Sequence, residues 1–364
     1  MEYDWDAIII GGGPAGSTVA RYASKGGAKV LVIDRRKDIG TPLQCGELVP
    51  TNNELKKLCP DVPQIDDLFQ TPENAVSKRT GQMGLVTPSG KRLKYSFEGK
   101  ILNRPIHDQA LVELAKKNGA HYLTETRVND IVGEKIILKN GEEITAKIIV
   151  GCGGPHDPLR KKFWNETSLN IAVNFVLMDG DFDNVVELYF GSMAPGGYAW
   201  MIPKKGGANI GVGIQTRYSK GKNLNSMAEE FFSKFDGEIR YKGGGVLPMS
   251  GTIKKLTKEN YMLVGDSAGM VLPSNGAGIT TAMIGGRIAG QVIAENINKD
   301  VSLNEYQKRW NKQMGKVMKY SKRGIQWGGL MFRSPDILVN AAFNPITKPI
   351  IWRAITCKPM FGIY

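Results

Sequence analysis

The stretch Asp6-Ala7-Ile8-Ile9-Ile10-Gly11-Gly12-Gly13-Pro14-Ala15-Gly16 decides the fold. Ala7 to Ile10 are wholly apolar, the pattern of a strand buried on both faces of a parallel sheet. The residues that follow set Gly11, Gly13 and Gly16 in G-x-G-x-x-G register. Ser17 to Ser24 reads as a helix, and Lys29 to Ile33 as a second strand ending on Asp34. Glycines flanked in this way make a βαβ unit. Gly11 permits the tight turn, Gly13 lets a pyrophosphate approach the backbone, and Gly16 lets the helix pack close on the strand. Pro14 and Ala15 complete the turn, and the N-terminus of the helix that follows faces the phosphates. Asp34, followed by Arg35, stands 18 residues beyond Gly16. A carboxylate there accepts hydrogen bonds from a ribose hydroxyl and repels a 2′-phosphate, which disfavours NADP.

Two further motifs lie outward from this unit. Leu102-Asn103-Arg104-Pro105-Ile106-His107-Asp108 precedes a helix expected over Gln109 to Lys117, then a strand over His121 to Thr124 and Thr126-Arg127-Val128. The set resembles the cofactor contacts of hydroxylase-type flavoproteins. The resemblance implies that Arg104 reaches the cofactor and that the Val128 backbone meets an adenine. Tyr261-Met262-Leu263-Val264-Gly265-Asp266-Ser267-Ala268-Gly269 reads as a strand ending on Gly-Asp, with small residues opening a helix. It resembles the second FAD fingerprint of the same class, with Asp266 on the ribityl chain. Asn275-Gly276-Ala277-Gly278 then leads, at Gly278 and Ile279, into a helix whose amides face the flavin pyrimidine edge and favour an anionic reduced flavin. A plain NAD dehydrogenase has no use for a Gly-Asp block about 250 residues from its glycine loop. The expected cofactor is FAD.

At 364 residues, 41% hydrophobic and 23% charged, the chain has material for a large core and is not a disordered class. Of the +13 net charge, nine units fall after Val301, where eleven Lys and Arg face only Glu305 and Asp336. Trp327, Leu330, Met331, Phe332, Ile350, Ile351 and Trp352 are interleaved with them. That mixture suits a phospholipid surface better than a nucleic acid, for which no module is recognisable. Cys45, Cys59, Cys152 and Cys357 are dispersed, so neither a metal site nor a disulfide framework is expected. The N-terminal residues run straight into a folded motif, and the apolar run from Ile8 to Ala20 is too short to span a bilayer. The expectation is a cytoplasmic protein, either soluble or peripheral on the inner face of the membrane.

Phe175 to Met178, Val185 to Phe190, Tyr198 to Ile202 and Ile210 to Gln215 read as strands of an antiparallel sheet, joined by Gly84 to Phe97. After Val301 a basic amphipathic helix over Leu303 to Arg323 precedes an irregular, Pro-containing tail. The fold class is therefore α/β: a Rossmann-type FAD-binding domain of the hydroxylase-like flavoprotein kind, with an inserted antiparallel substrate sheet and a C-terminal helical segment. The expected boundaries are 1–75, 101–160 and 246–300 for the discontinuous cofactor domain. Residues 76–100 and 161–245 make the lipid-binding sheet, and 301–364 the basic segment.

Three stretches make the chain similar to archaeal geranylgeranyl reductases, which saturate isoprenoid chains of membrane lipids. They are Pro42-Leu43-Gln44-Cys45-Gly46-Glu47, the block Gly265 to Gly278, and Pro195-Gly196-Gly197-Tyr198-Ala199-Trp200-Met201-Ile202-Pro203. The last is similar to the family's P-x-x-Y-x-W-x-F-P. Ile202 stands where the family has Phe and looks like the W-x-W-x-I-P of flavin halogenases. Gly151-Cys152-Gly153-Gly154-Pro155-His156 replaces the usual Asp-Gly-x-x-S turn.

The resemblance implies hydride transfer from reduced flavin to an alkene, with a proton delivered to the other carbon. It places Cys45 at the flavin, as proton donor or shaper of the site, with Gly46 and Leu48 beside the cofactor and Glu47 orienting the loop. His107, His121 and His156 stand beside none of the flavin motifs, so imidazole acid catalysis is not expected. Tyr198 and Trp200, two apart on a strand, share a face and would wall a prenyl chain. The expected partners are a prenylated lipid and an external electron donor, ferredoxin or another reductant. The rival readings are a flavin-dependent monooxygenase or halogenase, and a non-catalytic prenyl-lipid-binding flavoprotein.

Overall fold

The apolar run that opens the chain lies at the centre of a parallel sheet. In the computed structural model, which describes residues 3–166, 168–331 and 334–359 (327–331 by backbone alone), Trp5–Ile10 pairs in parallel with Val30–Ile33 and with Glu143–Gly151. Ala7, Ile8 and Ile9 are wholly buried, as a strand covered on both faces requires. His121–Leu123 and Tyr261–Leu263 extend the sheet in parallel at its two sides. A hairpin of Val128–Val132 and Lys135–Leu138 pairs antiparallel with Glu143–Gly151.

The helix after the glycine turn runs Pro14–Lys25, three residues earlier than the pattern alone marked. Proline at the first helical position already has helical φ and lacks an amide the helix cannot use. This helix packs against Ile279–Lys299. A Cβ on Gly290 would lie 2.5 Å from the Val19 carbonyl oxygen, so the small residue sets how closely the two axes approach.

The second sheet has the order Glu238–Pro248, Asn170–Asp179, Gly207–Ile214, Tyr198–Lys204, Val186–Tyr189, Val76–Val86, Arg92–Leu102, Leu48–Pro50. Period-2 alternation gives it two different faces. Tyr198, Trp200 and Ile202 join one apolar cluster, while Ala199 and Met201 join another under the helix Leu224–Phe232.

Several expectations need correction. The sheet is mixed, because Val186–Tyr189 pairs in parallel with Val76–Val86. The piece expected over Gly84 to Phe97 is the turn end of a hairpin of two long strands, Val76–Val86 and Arg92–Leu102. Leu48–Pro50, inside the expected 1–75 cofactor segment, pairs with Gly99 to Ile101 of this sheet. The helix expected from Gln109 begins at Arg104, because Pro105 is again tolerated in a first turn.

The C-terminal segment departs most. Its long helix runs Glu305–Met331, and the stretch expected to be irregular holds the helices Asp336–Ala342 and Lys348–Ile355. They fold because they have a surface to cover. Trp352 stacks on Tyr95 at 4.4 Å and meets Phe97 edge-on, and Phe343 packs on Phe190 at 5.6 Å. Of the apolar residues expected at a lipid surface, Trp352 thus turns inward. The side chains of Trp327, Leu330 and Met331, and the whole of Phe332, lie outside the described residues.

Candidate functional site

One cavity of about 870 Å³ runs from the glycine turn, past the Cys45 loop, to the space between the second sheet and the tail helices. Gly11, Gly13, Pro14 and Ala15 line it at the start of the first helix. Gly11 has φ +101°, and a Cβ on it would lie 2.5 Å from the Cys152 carbonyl oxygen. Gly13 faces open space: a Cβ on it would have no heavy atom of the chain within 4 Å. That gap at a helix N-terminus is the cradle a pyrophosphate needs.

Asp34 and Arg35 line the same cavity. The Asp34 carboxylate accepts the Gly12 and Arg36 amides at 2.7 and 2.8 Å, which aims it and leaves lone pairs for a ribose. Val128 also reaches the wall. Gly16 and Gly265 do not, and act behind it. A Cβ on Gly16 would fall 1.8 Å from the Gly11 carbonyl oxygen, and one on Gly265 2.8 Å from the Ala15 Cβ.

At the middle of the cavity, Arg104 is clamped by Asp108 through two hydrogen bonds of 3.0 and 2.7 Å. Burial works against the Asp108 charge, but the Arg104 guanidinium overrides it and holds the carboxyl at about 2. Asp266, Gly276, Gly278 and Ile279 line the opposite wall. Burial pushes Asp266 up to about 6, against the pull of Arg104.

The turn Gly151 to His156, which lacks the family's Asp, is filled from behind by Asp157. This wholly buried carboxylate accepts the Gly153 and Arg160 amides at 2.6 and 3.0 Å. A Cβ on Gly151 or Gly153 would lie 2.5 or 2.8 Å from its oxygens, so the two glycines make room for it. Ser267 and Gly154 exchange hydrogen bonds, tying this turn to the Gly265-Asp266 block. His156 sits on the turn and lines the cavity, which corrects the expectation that no histidine stands beside the cofactor motifs.

Burial raises Asp157 to about 6 despite those amides. The fold therefore favours its protonated form, so stability present below about pH 4 is lost as pH rises through about 6. Denaturant unfolding of the apoprotein is expected to show a loss on the order of 2–3 kcal/mol from this group between pH 4 and 7. In Asp157→Asn that part of the pH dependence should vanish; an unchanged profile would refute the assignment.

Cys45, Gly46 and Leu48 line the cavity where it turns toward the second sheet. Gly46 packs on Ile202 and Trp200, a Cβ there being 3.2 Å from Ile202 Cδ1. Burial pushes the Cys45 thiol up, opposed by the Arg104 charge. Tyr198 and Trp200 face the same space, their rings 6.1 Å apart. Their polar atoms are engaged: the Tyr198 hydroxyl donates to the Asn275 carbonyl at 2.6 Å, and Trp200 Nε1 to Asn209 Oδ1 at 2.9 Å. Burial raises the Tyr198 phenol to about 12. Both residues thus present apolar ring faces.

Sequence reading missed Gly211. A Cβ there would lie 2.1 Å from Trp200 Cζ2, so the indole lies flat over a bare backbone. Glycines at 211 and 213 inside a strand were the available signal. It also missed Lys204, Asn209 and the tail residues Trp352 and Ile355, which reach the cavity or its supports only through tertiary packing.

A geranylgeranyl bacteriochlorophyll reductase-like protein from Thermoplasma acidophilum superposes with TM-score 0.79 at 24% identity, covering 96% of this chain and 91% of that one. A flavin-dependent brominase superposes at 0.71 with 18% identity, covering 97% and 93%. With the glycine turn, the Arg104 clamp and Asp266 on one cavity, the chain has the fold of the hydroxylase-like flavoproteins. Residues 9–55 match the NAD(P)-binding Rossmann-like domain, and 168–246 the geranylgeranyl reductase catalytic domain. The chain belongs to the digeranylgeranylglycerophospholipid reductase family. It is 34% identical to digeranylgeranylglycerophospholipid reductase 3 of Methanosphaera stadtmanae, over 86% of this chain and 84% of that one. With the reductase of Methanocaldococcus jannaschii it shares 30% over 98% and 96%.

Proposed function

We propose that this protein is an FAD-dependent reductase that saturates C=C bonds in the geranylgeranyl chains of archaeal-type membrane phospholipids. The observation that carries this reading is the continuity of the cavity. A dinucleotide cradle opens directly into an apolar space walled by Tyr198, Trp200, Phe175, Leu188 and Trp352, with Cys45 at the junction. Such a space suits a long hydrocarbon, since each buried CH₂ contributes about 0.8 kcal/mol.

Reduced FAD, when bound, supplies the hydride. Gly13 and the helix behind it would hold the pyrophosphate, Asp34 the ribose, Val128 the adenine side and Asp266 the ribityl chain. The chain's own part in the chemistry is the proton. Burial keeps the Cys45 thiol protonated at neutral pH, and it donates to the alkene carbon that does not receive hydride. Arg104 stands ready to offset the thiolate that remains. The aromatic faces hold the alkene and exclude water. Electrons come from an external donor, ferredoxin or another reductant.

The protein is reduced chemically under anaerobic conditions and given a geranylgeranyl lipid phosphate. Expected are mass gains of two hydrogens per step as the flavin reoxidises. Unchanged lipid beside a reduced flavin sinks the substrate assignment, and oxygen-dependent turnover would favour the monooxygenase reading.

Among the described residues no helix is long and apolar enough to cross a membrane. The tail carries Ile337, Leu338 and Ile346 at 74, 55 and 82% exposure, on the helix Asp336–Ala342 and the turn that leads into Lys348–Ile355, whose Trp352 and Ile355 wall the cavity. These exposed apolar residues support peripheral attachment through the tail. Replacing all three by Ser should abolish co-sedimentation with anionic vesicles while turnover of detergent-dispersed lipid persists. Undiminished vesicle binding refutes this surface.

A further inference from the structure

Glu47 has φ +66°, in the left-handed region that costs a residue bearing a Cβ roughly 1–2 kcal/mol. It is also only 1% exposed. A buried carboxylate on strained backbone persists only where its surroundings over-determine it. Here they do. Lys204 Nζ donates to Glu47 Oε2 at 2.5 Å, Asn209 Nδ2 donates to the same oxygen at 3.2 Å, and the Arg104 amide reaches Oε1 at 3.4 Å.

Asn209, wholly buried, is shared more widely. Its amide also donates to the Cys45 carbonyl at 2.9 Å, while its oxygen accepts the Trp200 indole at 2.9 Å. The Glu47 amide donates to Cys45 Sγ at 3.1 Å. One buried side chain therefore joins the Cys45 loop, the Trp200 strand and its neighbour. Lys204 and Asn209 themselves do not line the cavity.

We propose that Lys204 and Asn209, acting through Glu47, are positioning residues that hold the Cys45 thiol and the Trp200 indole in register across the cavity. The Lys204 ammonium, 2.5 Å from Oε2, keeps Glu47 seated. Glu47 keeps the loop in its left-handed turn, and Asn209 transmits that position to the indole. Without the latch the loop relaxes toward ordinary backbone and the thiol leaves its place.

The inference rests on the proposed role of Cys45 only for its effect on turnover, because the position of the thiol can be read without any lipid. Cys59, Cys152 and Cys357 are buried and Cys45 is partly accessible, so maleimide labelling of the native holoprotein reports on Cys45. Peptide mass and a Cys45→Ala control assign the site. Lys204→Met should keep its flavin, label at Cys45 with a rate changed at least tenfold, and lose at least tenfold in kcat with KM nearly unchanged. Lys204→Arg should restore both.

Lys204→Met leaves Glu47 buried without its counter-charge and so risks the fold. Glu47→Gly/Lys204→Met removes both charges and tolerates the left-handed turn, and it should show the same two changes. A flavin-loaded variant with wild-type labelling and wild-type kcat overturns the proposal. So does a kcat loss that tracks melting temperature while labelling stays fixed. Altered labelling in variants of a protein whose wild type leaves the lipid untouched would uphold the latch and sink the substrate reading.

Discussion

Gly13→Ala is expected to give a protein that folds as the wild type does and binds flavin about 100-fold more weakly, a loss of about 2.8 kcal/mol. Gly13 has φ −66° and ψ −169°, which any residue adopts. No heavy atom of the chain lies within 4 Å of the added methyl. The cost to the helix start is at most about 1 kcal/mol. The methyl therefore meets only what occupies the cradle. Gly11→Ala would not make this distinction, because its methyl strikes the Cys152 carbonyl and damages the fold itself. The checks are apoprotein melting and a flavin titration by absorbance. Wild-type affinity in Gly13→Ala would mean that the phosphates do not cross this residue.

Cys45→Ala is expected to lose roughly 10²–10⁴-fold in the rate at which lipid reoxidises the reduced flavin, the range set by a lost general acid. Flavin content and melting should be retained, since the thiol faces the cavity and Arg104, the side chain it meets, stays clamped by Asp108. The other polar groups at this turn are committed: the Tyr198 hydroxyl to Asn275, the Trp200 indole to Asn209. Burial raises the thiol, so the wild-type rate should stay flat through neutral pH and fall only above the ordinary thiol range. Anaerobic single-turnover absorbance measures both. Reoxidation within a few-fold of wild type in the Ala variant would move the proton's source to water or to His156.

The glycine-turn end of the cavity was legible because close approaches of this kind are made by backbone. A glycine at each close approach and an acid at the strand end are marks that local sequence carries. The aromatic end was legible only in part. Tyr198 and Trp200 alternate along one strand, so their common face follows from period two, whereas the engagement of their polar atoms does not. The mixed sheet was not foreseen because a parallel pairing between strands a hundred residues apart leaves no local trace.

The sequence alone determined the βαβ unit, the second fingerprint and therefore the flavin, since these depend on residue type at fixed local spacing. Tertiary structure decided the rest of the site. Lys204 after Pro203 looks like any surface lysine until the sheet lays it beneath Glu47, and Trp352 looks like a lipid-facing tryptophan until Tyr95 stacks on it. Burial and pairing are properties of neighbours brought from distant positions, and the free energy that fixes them is absent until the chain has closed.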